Sequence, residues 1–224
     1  MALSDAAHPL SPAFADPLHP LRQATQATHS LLDSRLAIAQ PAATLTDYAA
    51  HVRGLAAWLQ ALDEPLCALQ AEVPAFDAAP ARRLAHLHQD LHDIATLMPS
   101  AAPSTAPAWP APSTATRLRV QAALHQAHHN GHASAARWGL AYVVEGSQLG
   151  GLVLHSRLAD ALAPHPLRYL QGHAGGTSER WKCFVGLLRD HVTSPDAITA
   201  ACDGALAAFN GLVDEFGLTG GLSR

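Results

Sequence analysis

The segment Tyr-Val-Val-Glu-Gly-Ser-Gln-Leu-Gly-Gly, residues 142–151, decides how this sequence is interpreted. It lies inside a helical pattern that extends from about Ser134 to Ala163, although a glycine in a helix interior costs about 0.8–1 kcal/mol relative to alanine. Gly146 and Gly150 are four residues apart, so they share a helix face that carries no side chains. We predict a helix that bends at these glycines and lets either a neighbouring helix or a flat ligand approach its backbone.

The composition favours a single helical domain. The 224 residues are 49% hydrophobic, which suffices for an ample core, and only 5% aromatic, which disfavours sheets. The net charge is -4 without a basic block, so no nucleic-acid partner is expected, and no run of about 20 apolar residues predicts a membrane span. Cys67, Cys183 and Cys202 are far apart and odd in number, and a signal-peptide pattern is absent. These features predict a cytoplasmic protein without disulfides.

Apolar residues recur at helical spacing in seven segments. The predicted helices cover residues 19–38, a stretch that begins at Thr44 or Thr46 and is kinked or interrupted at Pro65, and residues 78–97, 115–130, 134–163, 177–192 and 195–216. Residues 1–17 and 218–224 are predicted tails, and the proline-rich residues 99–115 form a surface loop within the domain 18–217. The predicted fold class is therefore all-α: a compact single-domain bundle of about seven helices.

His29 lies in the first predicted helix, and Arg22 precedes it by seven residues on nearly the same face. A histidine at such a position is most often a hydrogen-bonded boundary residue, but a neutral imidazole can also bind haem iron. A guanidinium two turns away, about 10.5 Å along the axis, can pair with a carboxylate at the edge of the haem. The helix that contains Gly146 and Gly150 could then cover the opposite face of the ring.

Three segments of the sequence together resemble the haem oxygenase family in its bacterial form, including the enzymes that supply bilin to bacteriophytochromes. Leu21 to His29 is similar to the family's proximal helix, and Tyr142 to Gly151 is similar to its distal helix. The third segment is Tyr169-Leu170-Gln171-Gly172-His173, followed by Arg180-Trp181-Lys182-Cys183-Phe184. The order and spacing agree over roughly residues 18–216.

The resemblance implies an enzyme for which haem is both cofactor and substrate. Such an enzyme cleaves haem with O2 and external electrons to biliverdin, iron and carbon monoxide. This chain has no flavin or NAD signature, so the resemblance implies a ferredoxin, flavodoxin or reductase as electron donor. It also suggests a bacteriophytochrome as an acceptor of biliverdin.

The resemblance also implies roles for individual residues. His29 falls on the proximal iron ligand, and Gly146, Ser147 and Gly150 fall on the catalytic distal segment. The positions that contact the haem itself are Arg22, Tyr142, Gly151, Arg180 and Lys182. Animal members have an aspartate that organises the pocket water where this chain has Ser147, which leaves open how that water is held here. Gln148 or a residue outside the motif could contribute.

Two alternatives from other classes follow from the same residues. The first is a haem-binding carrier or sensor on the same fold without turnover. The second is a thiamin-degrading helical bundle, which needs a cysteine nucleophile among acidic partners, and none of the three cysteines has that context. The histidines at positions 125, 128, 129 and 132 are interpreted as an exposed patch because no carboxylate or cysteine joins them. Glu145 has no partner acid at a fixed spacing, so we predict a pairing role for it rather than a catalytic one.

Overall fold

The computed structural model describes residues 16–78, 80–98, 110–173 and 175–218, which form seven α-helices and two short 3-10 helices and no strand. The α-helices are α1 Leu18–Arg35, α2 Leu45–Glu72, α3 Pro80–Leu97, α4 Thr114–His129, α5 Ala133–Leu158, α6 Thr177–His191 and α7 Pro195–Glu215. The 3-10 helices cover Ala37–Ala39 and Arg168–Gln171. The predicted all-α bundle is confirmed. Most of the predicted tails and of the proline-rich loop lies outside the described residues.

Local sequence signals account for several helix ends. Thr44 begins α2 through a capping box, in which the Thr44 N–H donates to the Asp47 carboxylate at 2.8 Å and the Asp47 N–H donates to the Thr44 hydroxyl at 3.3 Å. Asn130 ends α4, and Gly131 follows with a φ of +75°, a conformation that glycine adopts without strain. These ends agree with the sequence prediction.

The predicted interruption at Pro65 is wrong, because α2 continues through this residue to Glu72. A proline in a helix interior costs about 3 kcal/mol through the lost hydrogen bond and the steric clash. Leu62, Leu66 and Leu69 surround Pro65 and are fully buried, and each contributes about 1.5–3 kcal/mol. Their burial outweighs the local cost. Two helix ends also differ from the prediction: α5 terminates at Leu158 and not near Ala163, and α1 terminates at Arg35 and not near residue 38.

Helix α7 lies at the centre of the bundle and packs against α1, α2, α4 and α5. Its closest approach is to α5, where Gly139 and Gly204 bring the two backbones together. A Cβ atom on Gly139 would lie 1.9 Å from the Ala201 carbonyl oxygen, and one on Gly204 would lie 2.1 Å from the Ala136 carbonyl oxygen. Only glycine fits at these two positions.

Helices α1 and α5 both pack against α7, and they line a cavity between them. The cavity lies over the C-terminal part of α7, so the bundle holds the two helices that carry the predicted motifs on either side of one space. Among the helices that the structure describes, none combines the length and apolar character needed to cross a bilayer.

Candidate functional site

The cavity between α1 and α5 has a volume of about 640 Å³. Its wall is mostly apolar, and Phe209 and Leu212 of α7, with Phe216 at the end of that helix, form one side. Helix α1 contributes Arg22, Thr25 and His29, and α5 contributes the residues of the glycine segment. Ligand pockets typically have volumes of about 300–1,000 Å³ and combine an apolar lining with a few placed polar groups. The cavity has the size and character of a small-molecule site.

His29 presents an imidazole that a neighbouring carboxylate orients. Its Nδ1 atom lies 2.9 Å from the Asp33 carboxylate, one helical turn further along α1. Its ring centre is 5.8 Å from that of Phe209. The side chain is 61% exposed, so the pair contributes little to stability. Because Asp33 engages Nδ1, Nε2 is the nitrogen available to a metal, as in the carboxylate–histidine–metal arrangement.

The glycine face of α5 is open toward the cavity. No described atom lies within 4 Å of the Cβ position at Gly150, and the Cβ position at Gly146 has only the Trp181 ring, at 3.7 Å. Gly151 faces Leu170, where a Cβ atom would make ordinary contact at 3.7 Å. Of the two explanations for a side-chain-free face, close helix packing applies to Gly139. The open space beside Gly146 and Gly150 favours the ligand explanation.

Arg22 and Tyr142 meet at another part of the cavity wall. Burial raises the pKa of the Tyr142 hydroxyl, while the charge of Arg22 and hydrogen bonding by Thr25 and Arg22 act in the opposite direction. The Tyr142 ring lies 5.7 Å from the Trp181 ring, centre to centre. A cation and a hydroxyl side by side at an apolar cavity suit an anionic group on a ligand.

Comparison with known proteins gives the family. The family profile described as "Heme oxygenase" matches residues 16–214, which is most of the chain. The chain belongs to the haem oxygenase family.

Two relatives agree with this assignment. A protein named "Heme oxygenase" from Xanthomonas campestris pv. campestris (strain 8004) is 40% identical over 78 residues, which cover 34% of this chain and 46% of that protein. The chain therefore matches about half the length of this curated relative. Crystal structures of the NO- and CO-bound haem oxygenase of Neisseria meningitidis share the fold, with a TM-score of 0.62 and 22% identity over 92% of this chain and 94% of theirs.

The structure brings most of the predicted haem oxygenase site residues to the cavity wall. These are Arg22, His29, Tyr142, Gly146, Ser147, Gly150 and Gly151. Their roles toward haem stay predictions. Lys182 does not line the cavity; it is 69% exposed and its Nζ atom lies 2.7 Å from the Glu179 carboxylate, so its contact with a haem edge also stays a prediction.

Arg180 is engaged by a buried carboxylate. Its guanidinium donates to both carboxylate oxygens of Glu145, at 2.8 Å each, and also to the Asp77 carbonyl oxygen. Arg83 donates to the same carboxylate at 2.6 Å, and Glu145 is only 2% exposed. A buried carboxylate requires such partners, so Arg180 stabilises Glu145. Arg180 is not among the residues that line the cavity, and its contact with a haem edge stays a prediction. The predicted pairing role of Glu145 is confirmed.

Several residues at the cavity were missed by sequence reasoning. Asp33 could have been identified from the sequence, because a carboxylate four residues after His29 lies on the same helix face. Tyr169 was quoted in the third segment without a role, and His51 was not identified at all; they reach the cavity from the 3-10 helix and from α2. His51 is buried and stacks on Phe216 with ring centres 5.4 Å apart, and burial lowers its pKa to about 4.

Two other clusters contain residue types that can bind metals. Asp90, Asp93 and His165 lie close together among the described residues. However, the Asp90 carboxylate accepts three hydrogen bonds, and His165 uses Nδ1 to accept from the Leu167 N–H and Nε2 toward the Asp90 carbonyl. In the histidine patch on α4, the Nε2 atoms of His125 and His129 lie 2.9 Å apart at the surface.

Proposed function

We propose that this protein is a haem oxygenase that binds haem as its substrate in the cavity between α1 and α5. It opens the ring with O2 and external electrons and releases biliverdin, iron and carbon monoxide. The observation that carries the proposal is that His29 and the open glycine face of α5 line the same cavity. The family assignment supports the same activity.

The cavity fits haem in three respects. It is apolar and has a volume of about 640 Å³, within the usual range for sites that enclose a ligand of this class. It presents one imidazole with its Nδ1 atom already engaged by Asp33. It also leaves an empty space beside Gly150 that a side chain would fill.

The protein's own residues then have distinct roles. His29 would hold the iron of bound haem through Nε2, and Asp33 would fix the orientation of the imidazole and increase its basicity. Gly146 and Gly150 let the α5 backbone approach the other side closely, which leaves room for O2 but not for a large acid–base side chain. The apolar residues of α7 exclude water from the ring. Arg22 and Tyr142 bind the carboxylates of the substrate.

The chain needs partners for turnover. We propose that the electrons come from a ferredoxin, a flavodoxin or a reductase, because the sequence has no nucleotide-binding fingerprint of its own. A bacteriophytochrome as the acceptor of biliverdin is part of the same proposal. We place the activity in the cytoplasm, since the described Cys67, Cys183 and Cys202 are all free thiols, as expected in a reducing compartment.

The proposal is tested by following the absorption spectrum of the haem complex after addition of ascorbate or a reductase system. We expect the haem band to disappear and a biliverdin band to appear. His29→Ala should remove the imidazole nitrogen and most of the turnover, and added imidazole should restore part of it. His19→Ala is the matched control, because His19 is exposed on the same helix and does not line the cavity.

Two results would contradict the proposal. A protein that takes up no haem is not a haem oxygenase. A wild-type complex that stays spectrally stable under reductant and O2 would instead support the carrier or sensor alternative.

A further inference from the structure

Two histidines on α4 bring their ring nitrogens together at the surface of the protein. His125 and His129 are both exposed. Their Nε2 atoms are 2.9 Å apart, and the two rings are close to perpendicular, with centres separated by 4.3 Å. Neither residue lines the cavity that we assign to haem. The pair is therefore a separate feature that the proposed function does not use.

The position of the two histidines on one helix explains why their rings meet. Residues four apart are neighbours on a helix surface, and both His125 and His129 belong to α4. Two histidines at this spacing on one helix face are also the arrangement by which a helix presents two imidazoles to a single metal ion. The helix backbone thus sets the separation of the two side chains.

The distance between the two nitrogens is suited to a shared metal ion. A divalent ion such as Zn²⁺ binds an imidazole nitrogen at about 2.0–2.1 Å. With the Nε2 atoms 2.9 Å apart, an ion at that distance from both would have an N–metal–N angle of about 90°. Adjacent ligands make this angle in the square-planar and tetragonal complexes of Ni²⁺ and Cu²⁺. A tetrahedral ion would require a separation of about 3.3 Å.

Without a metal, the same contact is a hydrogen bond in which one Nε2 donates its proton to the other. An exposed bond of this kind contributes little to stability, because water competes for both partners. A metal ion would replace the shared proton and accept the lone pairs of both Nε2 atoms, while each Nδ1 keeps its hydrogen. Since both rings are exposed, the ion has direct access from solvent.

The charges near the pair do not oppose a cation. The sequence from residue 121 to residue 133 contains no arginine or lysine. His129 is in the last turn of α4, where the helix dipole favours positive charge. Two aspartates of α7, Asp196 and Asp203, line a polar hollow together with residues from the end of α4. The electrostatic surroundings therefore favour a bound divalent ion.

We infer that His125 and His129 bind one divalent transition-metal ion of the Ni²⁺ or Cu²⁺ type through their Nε2 atoms. Among the residues that the structure describes, no further histidine, cysteine or carboxylate forms a three-ligand cluster with this pair. Water therefore supplies the remaining ligands, and the ion exchanges with solvent. The site is independent of haem and goes beyond the proposed function.

Titration of the haem-free full chain with Ni²⁺ alone tests this inference. The protein is purified without a histidine tag and studied at about pH 7.5, where ordinary histidines are mostly neutral. Ni²⁺ is chosen over Cu²⁺ because thiols do not reduce it, and the described cysteines are all free. His125→Asn and His129→Asn should each weaken binding at least about tenfold, because one ligand no longer holds the ion beside the other.

His86→Asn is the matched control. His86 is an exposed histidine on α3 and has no histidine three or four residues away, so its loss should leave the Ni²⁺ affinity unchanged. The double variant of His125 and His129 should bind Ni²⁺ about as weakly as either single variant, because each single change already breaks the shared site. If each single variant instead loses half of the bound ions and keeps the affinity for the rest, the two rings bind separately and the inference is wrong.

Thermal melting gives a second readout. An ion held only by the folded helix stabilises the protein, so Ni²⁺ should raise the melting temperature of wild type and of His86→Asn. It should raise that of His125→Asn and His129→Asn much less. Wild-type Ni²⁺ affinity in both α4 variants, or an equal loss of affinity in His86→Asn, would overturn the inference.

These outcomes are distinguishable from those that bear on haem. All measurements use haem-free protein, so a chain that binds Ni²⁺ through this pair but takes up no haem refutes only the proposed function. A chain that binds and degrades haem but whose two α4 variants keep the wild-type Ni²⁺ affinity refutes only this inference.

Discussion

Two glycine-to-alanine substitutions on α5 should have opposite effects, because the two glycines face different neighbours. Gly150→Ala removes a helix-interior glycine, and no described atom lies within 4 Å of the new methyl group. The haem-free protein should therefore gain about 1 kcal/mol. For a chain of this size this gain raises the melting temperature by about 2–4 °C.

Gly139→Ala receives the same gain in helix propensity but meets a backbone carbonyl. The new Cβ atom would lie 1.9 Å from the Ala201 oxygen, and neither helix backbone can move without separating α5 from α7. Overpacking of this kind costs about 1–3 kcal/mol, and contact with backbone on both sides places it at the upper end. The net loss of about 2 kcal/mol should lower the melting temperature by about 4–8 °C.

The rate of haem degradation should rank the same two variants in the opposite order to their stability. The Gly150 methyl group would project into the space assigned to the substrate, so haem degradation should fall at least about tenfold, since small displacements at a reacting centre have large effects on rate. Gly139→Ala, assayed well below its melting temperature, should retain most of its rate. The measurements are thermal melts of the haem-free variants and the initial rate of biliverdin formation. A Gly150→Ala variant that is less stable than wild type, or that turns haem over at the wild-type rate, would refute the assignment of this face to the ligand.

Three further substitutions follow from the structure. Asp33→Asn should weaken haem binding about tenfold, measured by titration, because the carboxylate that orients His29 is lost; an unchanged affinity would contradict this role. Glu145→Gln should destabilise the protein by about 3–5 kcal/mol in urea unfolding, because the largely buried guanidiniums of Arg83 and Arg180 lose their counter-charge. A change below about 1 kcal/mol would show that these ion pairs contribute little. Burial lowers the pKa of His51 to about 4, whereas a histidine in the unfolded chain has a pKa of about 6.5. The neutral imidazole therefore contributes stability that is complete above about pH 6.5. This contribution, about 3 kcal/mol in all, is lost as the pH falls toward about 4. His51→Phe should reduce the difference between the free energies of unfolding measured by urea titration at pH 7 and pH 5. A variant with the same difference as wild type would exclude His51 as its source.

The helices could be predicted because their signals are local. The apolar stripe, the capping box at Thr44 and the Asn130–Gly131 break all act within one or two turns. Pro65 shows the limit of such rules. Its cost is local, but the burial that offsets it comes from packing against other helices, which periodicity does not measure.

The candidate site was predictable to the extent that its residues lie within single motifs. His29 and the glycine segment were identified in this way, and Asp33 could have been. The ion pair of Arg180 was not predictable, because spacing alone cannot show that a guanidinium is engaged by a buried carboxylate on another helix. Tyr169 belongs to the third segment of the sequence, but its position at the cavity was seen only in the tertiary structure.

By itself, the sequence determined the helical class, the seven segments and the residue types able to hold a haem, because helix periodicity and side-chain chemistry are properties of short stretches. Tertiary structure decided which glycines serve packing and which face a ligand. Gly139 and Gly150 are chemically identical positions on one helix, and only the atoms that α7 and the cavity place opposite them make one a packing contact and the other part of a site.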